Sequence, residues 1–192
     1  NTALENARSE REVYDSIRLD KGSRIAAGIR NVDPKNWAFI VDDDDLIHRD
    51  ISRFMEDKSP EHGWVIERGY GWVDGTRWVT RMNQFHHRCG SCLILPAGSF
   101  SYFARPDLDE AEKVKELGSH VLIYHRLKDR FRPVPFRGAI YRMAHGNASQ
   151  TVLRKATASR TKRLLRALAR GGRFVLGAQP MSPSIRRDFF GG

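Results

Sequence analysis

Cysteine is scarce in this chain. Only Cys89 and Cys92 occur among 192 residues, which excludes a small disulfide-dense scaffold. Long apolar runs are missing as well: nothing approaches the roughly 18 uninterrupted residues of a membrane-spanning helix. The amino terminus is polar and charged and lacks the apolar stretch of a secretory signal. Because the chain opens on Asn1, directly in helix-like sequence, it reads as a fragment of a longer polypeptide. Acidic residues become rare after residue 150. Arg154, Lys155, Arg160, Lys162, Arg163, Arg166, Arg170, Arg173, Arg186 and Arg187 stand there against the single acid Asp188, so most of the net charge of +10 lies in residues 151–192. Such a segment attracts phosphates of any kind, on nucleic acid, anionic lipid or nucleotide. There are no internal repeats. Length and apolar content suit one domain with a proper core.

What is present is concentrated in residues 37–50. A short apolar run, Trp37 to Val41, ends abruptly in four carboxylates, Asp42 to Asp45, followed by Leu46. Apolar runs of this length with polar bounds are typical of interior parallel strands, and ligands of open α/β sheets bind just past the carboxyl ends of such strands. Four adjacent carboxylates repel one another and raise each other's pKa unless a cation sits among them. Hard divalent ions take oxygen ligands and reach proteins through one or two carboxylates plus substrate phosphates. The pattern therefore predicts a metal carrying a phosphorylated substrate. An acidic loop before the helix near Asp50, or a calcium site, is the plainer reading of the same residues.

Along the rest of the chain, helical periodicity covers 4–18 and 23–31, with Ser23 as a cap. Asp50 or Ser52 begins a short helix to Lys58. An alternating aromatic stretch with Trp64, Trp72, Asp74-Gly75 and Trp78 predicts a hairpin. Cys92–Leu95 reads as a strand, Pro106 or Asp107 to Leu117 as an acidic helix, and His120–Phe131 as a second helix. Residues 133–142, with two prolines and a glycine, read as a loop or edge strand. A long basic helix is expected from about Ser149 to Arg170, ended by Gly171-Gly172. The last twenty residues, rich in Gly, Pro and Ser, read as a poorly ordered tail. The run His86-His87-Arg88-Cys89-Gly90-Ser91-Cys92 raises zinc or a redox pair, yet four zinc ligands within seven residues are cramped, and two reduced thiols in a turn is the simpler reading.

A strand followed by Asp-x-Asp-Asp and an apolar residue resembles the Asp-x-Asp motif of GT-A nucleotide-sugar glycosyltransferases, particularly bacterial members of glycosyltransferase family two. The resemblance spans roughly residues 20–150. It implies an α/β fold with a mixed sheet flanked by helices. That fold would be partial at the amino terminus, because the family's base-cradling first strand and helix would precede Asn1. It divides the chain into a core at 1–150 and a basic helix with a flexible tail at 151–192. By this resemblance Asp42 meets the donor's ribose and the metal, Asp43 fills the variable slot on the donor side, and Asp44 binds the metal. Lys21 and Arg24 match a cationic helix that meets the donor's base or phosphates. Trp64 and Trp72 would stack on the acceptor's sugar rings. The family's general-base carboxylate is missing where the helix begins at Gly118-Ser119-His120, which puts His120 in that role with Asp109 as an upstream alternative. His145, in the segment 141–149, would complete the metal shell or touch the diphosphate.

The implied reaction is inverting, metal-assisted sugar transfer to a hydroxyl, with Mn²⁺ or Mg²⁺ as cofactor. A nucleotide-diphosphate sugar, UDP-sugar first, would be the donor, and a glycan or lipid-linked molecule the acceptor. Synthesis of surface polysaccharide or glycolipid in the cytoplasm, at the inner membrane face, would use such an enzyme. A basic helix with Leu164, Leu165 and Leu168 among arginines suits an anionic membrane surface. Two readings from other classes stay open: a nucleic-acid or membrane-surface binder built on 151–192, and a zinc module at His86, His87, Cys89 and Cys92.

Overall fold

The described strands form two small mixed sheets, and the chain crosses between them repeatedly, once at Ile66-Glu67. The computed structural model describes residues 10–32, 34–100, 110–143 and 177–191. In chain order these form α1 (Glu10–Val32), β1 (Trp37–Phe39), β2 (Leu46–Ile47), α2 (Ile51–Glu56), β3 (Gly63–Val65), β4 (Arg68–Val73) and β5 (Trp78–Asn83). A 3-10 turn at Phe85–His87 leads to β6 (Leu93–Pro96). Then come α3 (Glu110–Leu117), α4 (His120–Leu127), β7 (Phe131–Pro133), β8 (Ala139–Met143), β9 (Ala178–Pro180) and α5 (Pro183–Phe190). The fold is thus mixed α/β.

The first sheet has the order β1-β6-β3-β7 and the second β2-β8-β4-β5-β9. In each, one parallel pair (β3 with β7, β4 with β8) sits among antiparallel ones. Ile66, fully buried at the crossing, donates its N–H to the Cys92 carbonyl (2.8 Å), which ties the crossover to the strand behind it. The main core gathers Val65, Ile66, Phe85, Leu93, Ile94, Leu95, Ile123 and Val134. A smaller one joins Val79 and Ile140 of the second sheet to Ile185 and Phe189 of α5. The expected hairpin is β4–β5, with Trp72 opposite Val79 and the turn at Asp74-Gly75. Among the described residues no helix is long and apolar enough to cross a membrane.

Several expectations need correction. The run at 37–41 is neither interior nor parallel: β1 is a half-buried edge strand, antiparallel to β6, in the sheet as described. Residues 23–31 do not start a separate helix, because α1 runs unbroken through Gly22. A helix-interior glycine costs about 1 kcal/mol against alanine. Here its missing side chain serves packing, since a Cβ on Gly22 would lie 1.8 Å from the Val114 carbonyl oxygen and one on Gly118 2.0 Å from that of Arg18. The helix from His120 stops at Leu127 and gives way to a 3-10 turn and β7. Residues 139–143 form β8, an inner strand between β2 and β4, rather than a loop or edge.

The carboxyl-terminal residues are also ordered where they are described. β9 pairs with β5, and α5 follows with Ser182 as its cap, the hydroxyl accepting the Ile185 N–H, and Pro183 in its first turn. Ile185 and Phe189, one helical turn apart, supply the apolar face that the Gly, Pro and Ser content obscures. The basic helix expected at 149–170 lies outside the described residues, as do Asp109 and His145.

Candidate functional site

The chain leaves β1 through Ile40 and Val41 and turns at once, with the Asp45 N–H bonded back to the Asp42 carbonyl (3.2 Å). It then enters β2, which pairs with β8. This turn divides four chemically identical aspartates among different tasks. Asp45 points inward. Its Oδ2 accepts the Ser91 hydroxyl (2.7 Å) and the Cys89 thiol (3.0 Å), and its Oδ1 accepts the Arg142 backbone N–H (3.2 Å). Burial raises the Asp45 carboxyl pKa above the ordinary range, against the lowering effect of the thiol and hydroxyl donors. Ser91 also accepts the Asp42 N–H (2.8 Å), so one hydroxyl pins both ends of the turn.

Asp42 lies half-buried and its Oδ1 is paired with the Lys21 ammonium from α1. Gly90 covers that pair. A Cβ there would fall 2.3 Å from Asp42 Oδ2 and 2.6 Å from Lys21 Nζ. Asp43 is exposed and Asp44 half-buried, and the Asp44 charge acts on the Arg142 guanidinium, which is itself paired with Asp74 (2.5 Å).

His120 is the first residue of α4, where Ser119 accepts the Leu122 N–H as cap (3.4 Å). It lines a crevice of about 10 Å³ with Lys21, Gly90 and Leu117, which is space for one water at most. Its Nε2 is buried without a hydrogen-bond partner. Burial first, and the neighbouring Lys21 charge second, lower its pKa to about 4, while Asp42 acts the other way. The imidazole is therefore neutral near pH 7.

That shift carries a stability consequence with a definite sign. The unfolded chain binds a proton at His120 near pH 6.5, whereas the folded chain resists it until about pH 4. Stability thus falls as pH drops through this window and is flat above it, by roughly 3 kcal/mol if the shift is fully expressed. His86, also lowered by burial, acts in the same direction. Denaturant unfolding of wild type and His120→Gln at pH 4.5 and pH 7 isolates the His120 part. Equal pH dependence in the two proteins would remove the basis for a buried neutral imidazole.

The remaining expected residues divide clearly. Lys21, Asp42 and His120 come together, and Asp43 and Asp44 share their turn. Arg24 does not join them: it pairs with Asp20 on the exposed face of α1 (2.6 Å). Trp64 and Trp72 sit in different sheets, and both rings are engaged within the fold. Trp64 meets Phe54 edge-on (4.8 Å), and Trp72 meets Phe190 edge-on (5.4 Å) while its Nε1 donates to the Thr76 carbonyl (3.0 Å). His86, His87, Cys89 and Cys92 do not converge. The Cys89 thiol serves Asp45, and the buried Cys92 sulfur faces the His86 carbonyl (3.9 Å). Burial raises both thiol pKa values, which opposes thiolate chemistry at either position. Among the described residues no three His, Cys, Asp or Glu side chains form a metal cage.

No family model matches this chain, and neither a curated protein nor a solved structure matches it. Geometry alone therefore defines the site. The residues that sequence reasoning passed over are its anchors, Asp45, Ser91 and the backbone of Arg142. The Cys89-Gly90-Ser91 turn ahead of β6 is the only local signal that pointed toward them.

Proposed function

We propose that the chain is a GT-A-like glycosyltransferase that moves a sugar from a nucleotide-diphosphate donor to a hydroxyl acceptor. The observation that carries this reading is the division of labour in the Asp42–Asp45 turn. One carboxylate is spent inside the fold to hold the turn, while Asp42, beside Lys21, and Asp44 stay half-buried in the same turn after β1. The donor set fits a hard divalent ion such as Mn²⁺ or Mg²⁺, because it is all carboxylate oxygen and glycine at position 90 keeps a side chain off Asp42 Oδ2, from which a Cβ would stand 2.3 Å. Two carboxylates without a third ligand among the described residues suit an ion that arrives with a diphosphate. When bound, such an ion neutralises negative charge on the leaving diphosphate.

The chain's own residues supply the rest. Lys21, held beside Asp42, is placed to meet phosphate oxygens. His120, neutral and with no partner at Nε2 among the described residues, can take up the acceptor's hydroxyl proton through the one water its crevice has room for. Its depressed pKa, set first by burial and second by the Lys21 ammonium, makes it a weak base. Engagement of Lys21 by an anionic diphosphate would relieve the second effect and leave the larger one in place.

The direct test is thermal unfolding with UDP, GDP, CDP or dTDP, each with and without Mn²⁺. At ligand concentrations of about 100 times Kd, the expected stabilisation is about 2.7 kcal/mol, and it should require metal and one of the nucleotides together. If no nucleotide shifts the midpoint, or if EDTA leaves the shift intact, the reading is lost.

A further inference from the structure

The largest group of titratable rings outside the acidic turn lies where the 3-10 turn Phe85–His87 meets α4. His86 is buried in it, packed on His87 (centroids 4.1 Å apart) and on Tyr124 (4.4 Å), and its Nδ1 has no partner. Phe131 stacks behind Tyr124 (5.9 Å, 24°). Over this backing His87, Tyr124 and His125 form a triangle with sides of 6.1, 6.0 and 6.4 Å. His87 and His125 are exposed and Tyr124 is half-buried. The group adjoins the site already described, because the charges of His86 and His87 act on His120 as those of Lys21 and Asp42 do.

We infer that His87, Tyr124 and His125 form a platform for a neutral sugar acceptor, next to the end of α4 that carries His120. The inference rests on the glycosyltransferase reading for its catalytic meaning, but the platform is argued from its own chemistry. A neutral imidazole offers one donor and one acceptor, and a phenol offers both. Aromatic bodies with polar edges match a pyranose, which has apolar CH faces rimmed by hydroxyls. Charged ligands fit less well. Burial first, and the neighbouring His87 second, hold the His86 imidazole below its ordinary range, so the buried ring adds no positive charge for a phosphate near pH 7. Glu67, whose charge acts on His86 and Tyr124, is the carboxylate facing the cluster. The two tryptophans expected to bind acceptor have their rings committed to Phe54 and Phe190, which leaves this group as the aromatic surface beside His120.

The test uses the full chain and saturation-transfer NMR with methyl glycosides of glucose, galactose, mannose and N-acetylglucosamine. At least one should bind wild type, and His87→Ala and His125→Ala should each weaken it by roughly tenfold, the upper end of a single aromatic contact. Both positions are exposed, so the melting midpoint and the UDP–Mn²⁺ shift should stay at wild-type values. Absence of binding by every glycoside, binding indifferent to both substitutions, or stronger binding of inorganic phosphate than of any sugar overturns the platform. Sugar binding lost in the variants, with no nucleotide shift in wild type, would overturn the donor reading and leave the platform as a glycan-binding surface.

Discussion

Gly118→Ala is expected to lower the melting midpoint by about 10 °C, because the added methyl meets helix backbone. The added carbon would stand 2.0 Å from the Arg18 carbonyl oxygen and 2.8 Å from the carbon bearing it. Both are helix backbone and cannot rotate away, so α1 and the α3–α4 junction must separate. Overpacking typically costs about 1–3 kcal/mol, and a clash of backbone with backbone falls at the top of that range. For a domain of this size each kcal/mol moves the midpoint by about 2–4 °C. The functional site should suffer too, because Lys21 adjoins Gly22 on one side of the crossing and His120 lies two residues past Gly118 on the other. Gly28→Ala is the control: nothing lies within 4 Å of a Cβ at that helical position. It should be neutral or stabilising by up to about 1 kcal/mol. Melting curves of the two variants settle the matter, and a Gly118→Ala midpoint within a degree of wild type would mean that the helices do not cross so closely.

The second large effect separates carboxylates that neighbour each other in sequence. Asp44→Asn should abolish the metal-dependent nucleotide shift and reduce transfer on the order of a hundred- to a thousandfold, the usual loss on removing one preorganised charge contact. Asp45→Ala should act through stability instead. It leaves the Ser91 hydroxyl, the Cys89 thiol and the Arg142 N–H without their acceptor, at about 1–3 kcal/mol for each buried donor left unsatisfied. The measurements are thermal unfolding with and without UDP–Mn²⁺, and sugar transfer from a panel of UDP-sugars. A fully active Asp44→Asn would end the metal assignment. An Asp45→Ala protein as stable as wild type would end the anchoring role.

Much of the fold could be read from local pattern. The hairpin followed from alternating aromatics around Asp74-Gly75, β6 from the apolar run Cys92–Leu95, and the start of α4 from Gly118-Ser119-His120. The misreadings share one cause. Helical periodicity at 4–18 and 23–31 with Ser23 as a cap predicts two helices, and nothing in residues 10–32 records that the Val114 backbone passes beside Gly22 in one continuous helix. Composition marks the carboxyl terminus as a tail, although Ser182-Pro183 and the Ile185–Phe189 spacing mark a helix. Those two apolar residues acquire a core only when Val79 and Ile140, far back in the chain, are brought against them.

The same limit governs the site. Sequence alone determined that a strand ends in four carboxylates, that cysteine cannot staple the fold, and that positive charge gathers after residue 150. It could not rank Asp42, Asp43, Asp44 and Asp45, whose side chains are identical. Their ranking came from tertiary neighbours at positions 21, 89–91 and 142, because a carboxylate's role depends on which donors and cations surround it and on how much water is removed. Burial and three donors make Asp45 structural, an ammonium from α1 holds Asp42, and exposure leaves Asp43 to solvent.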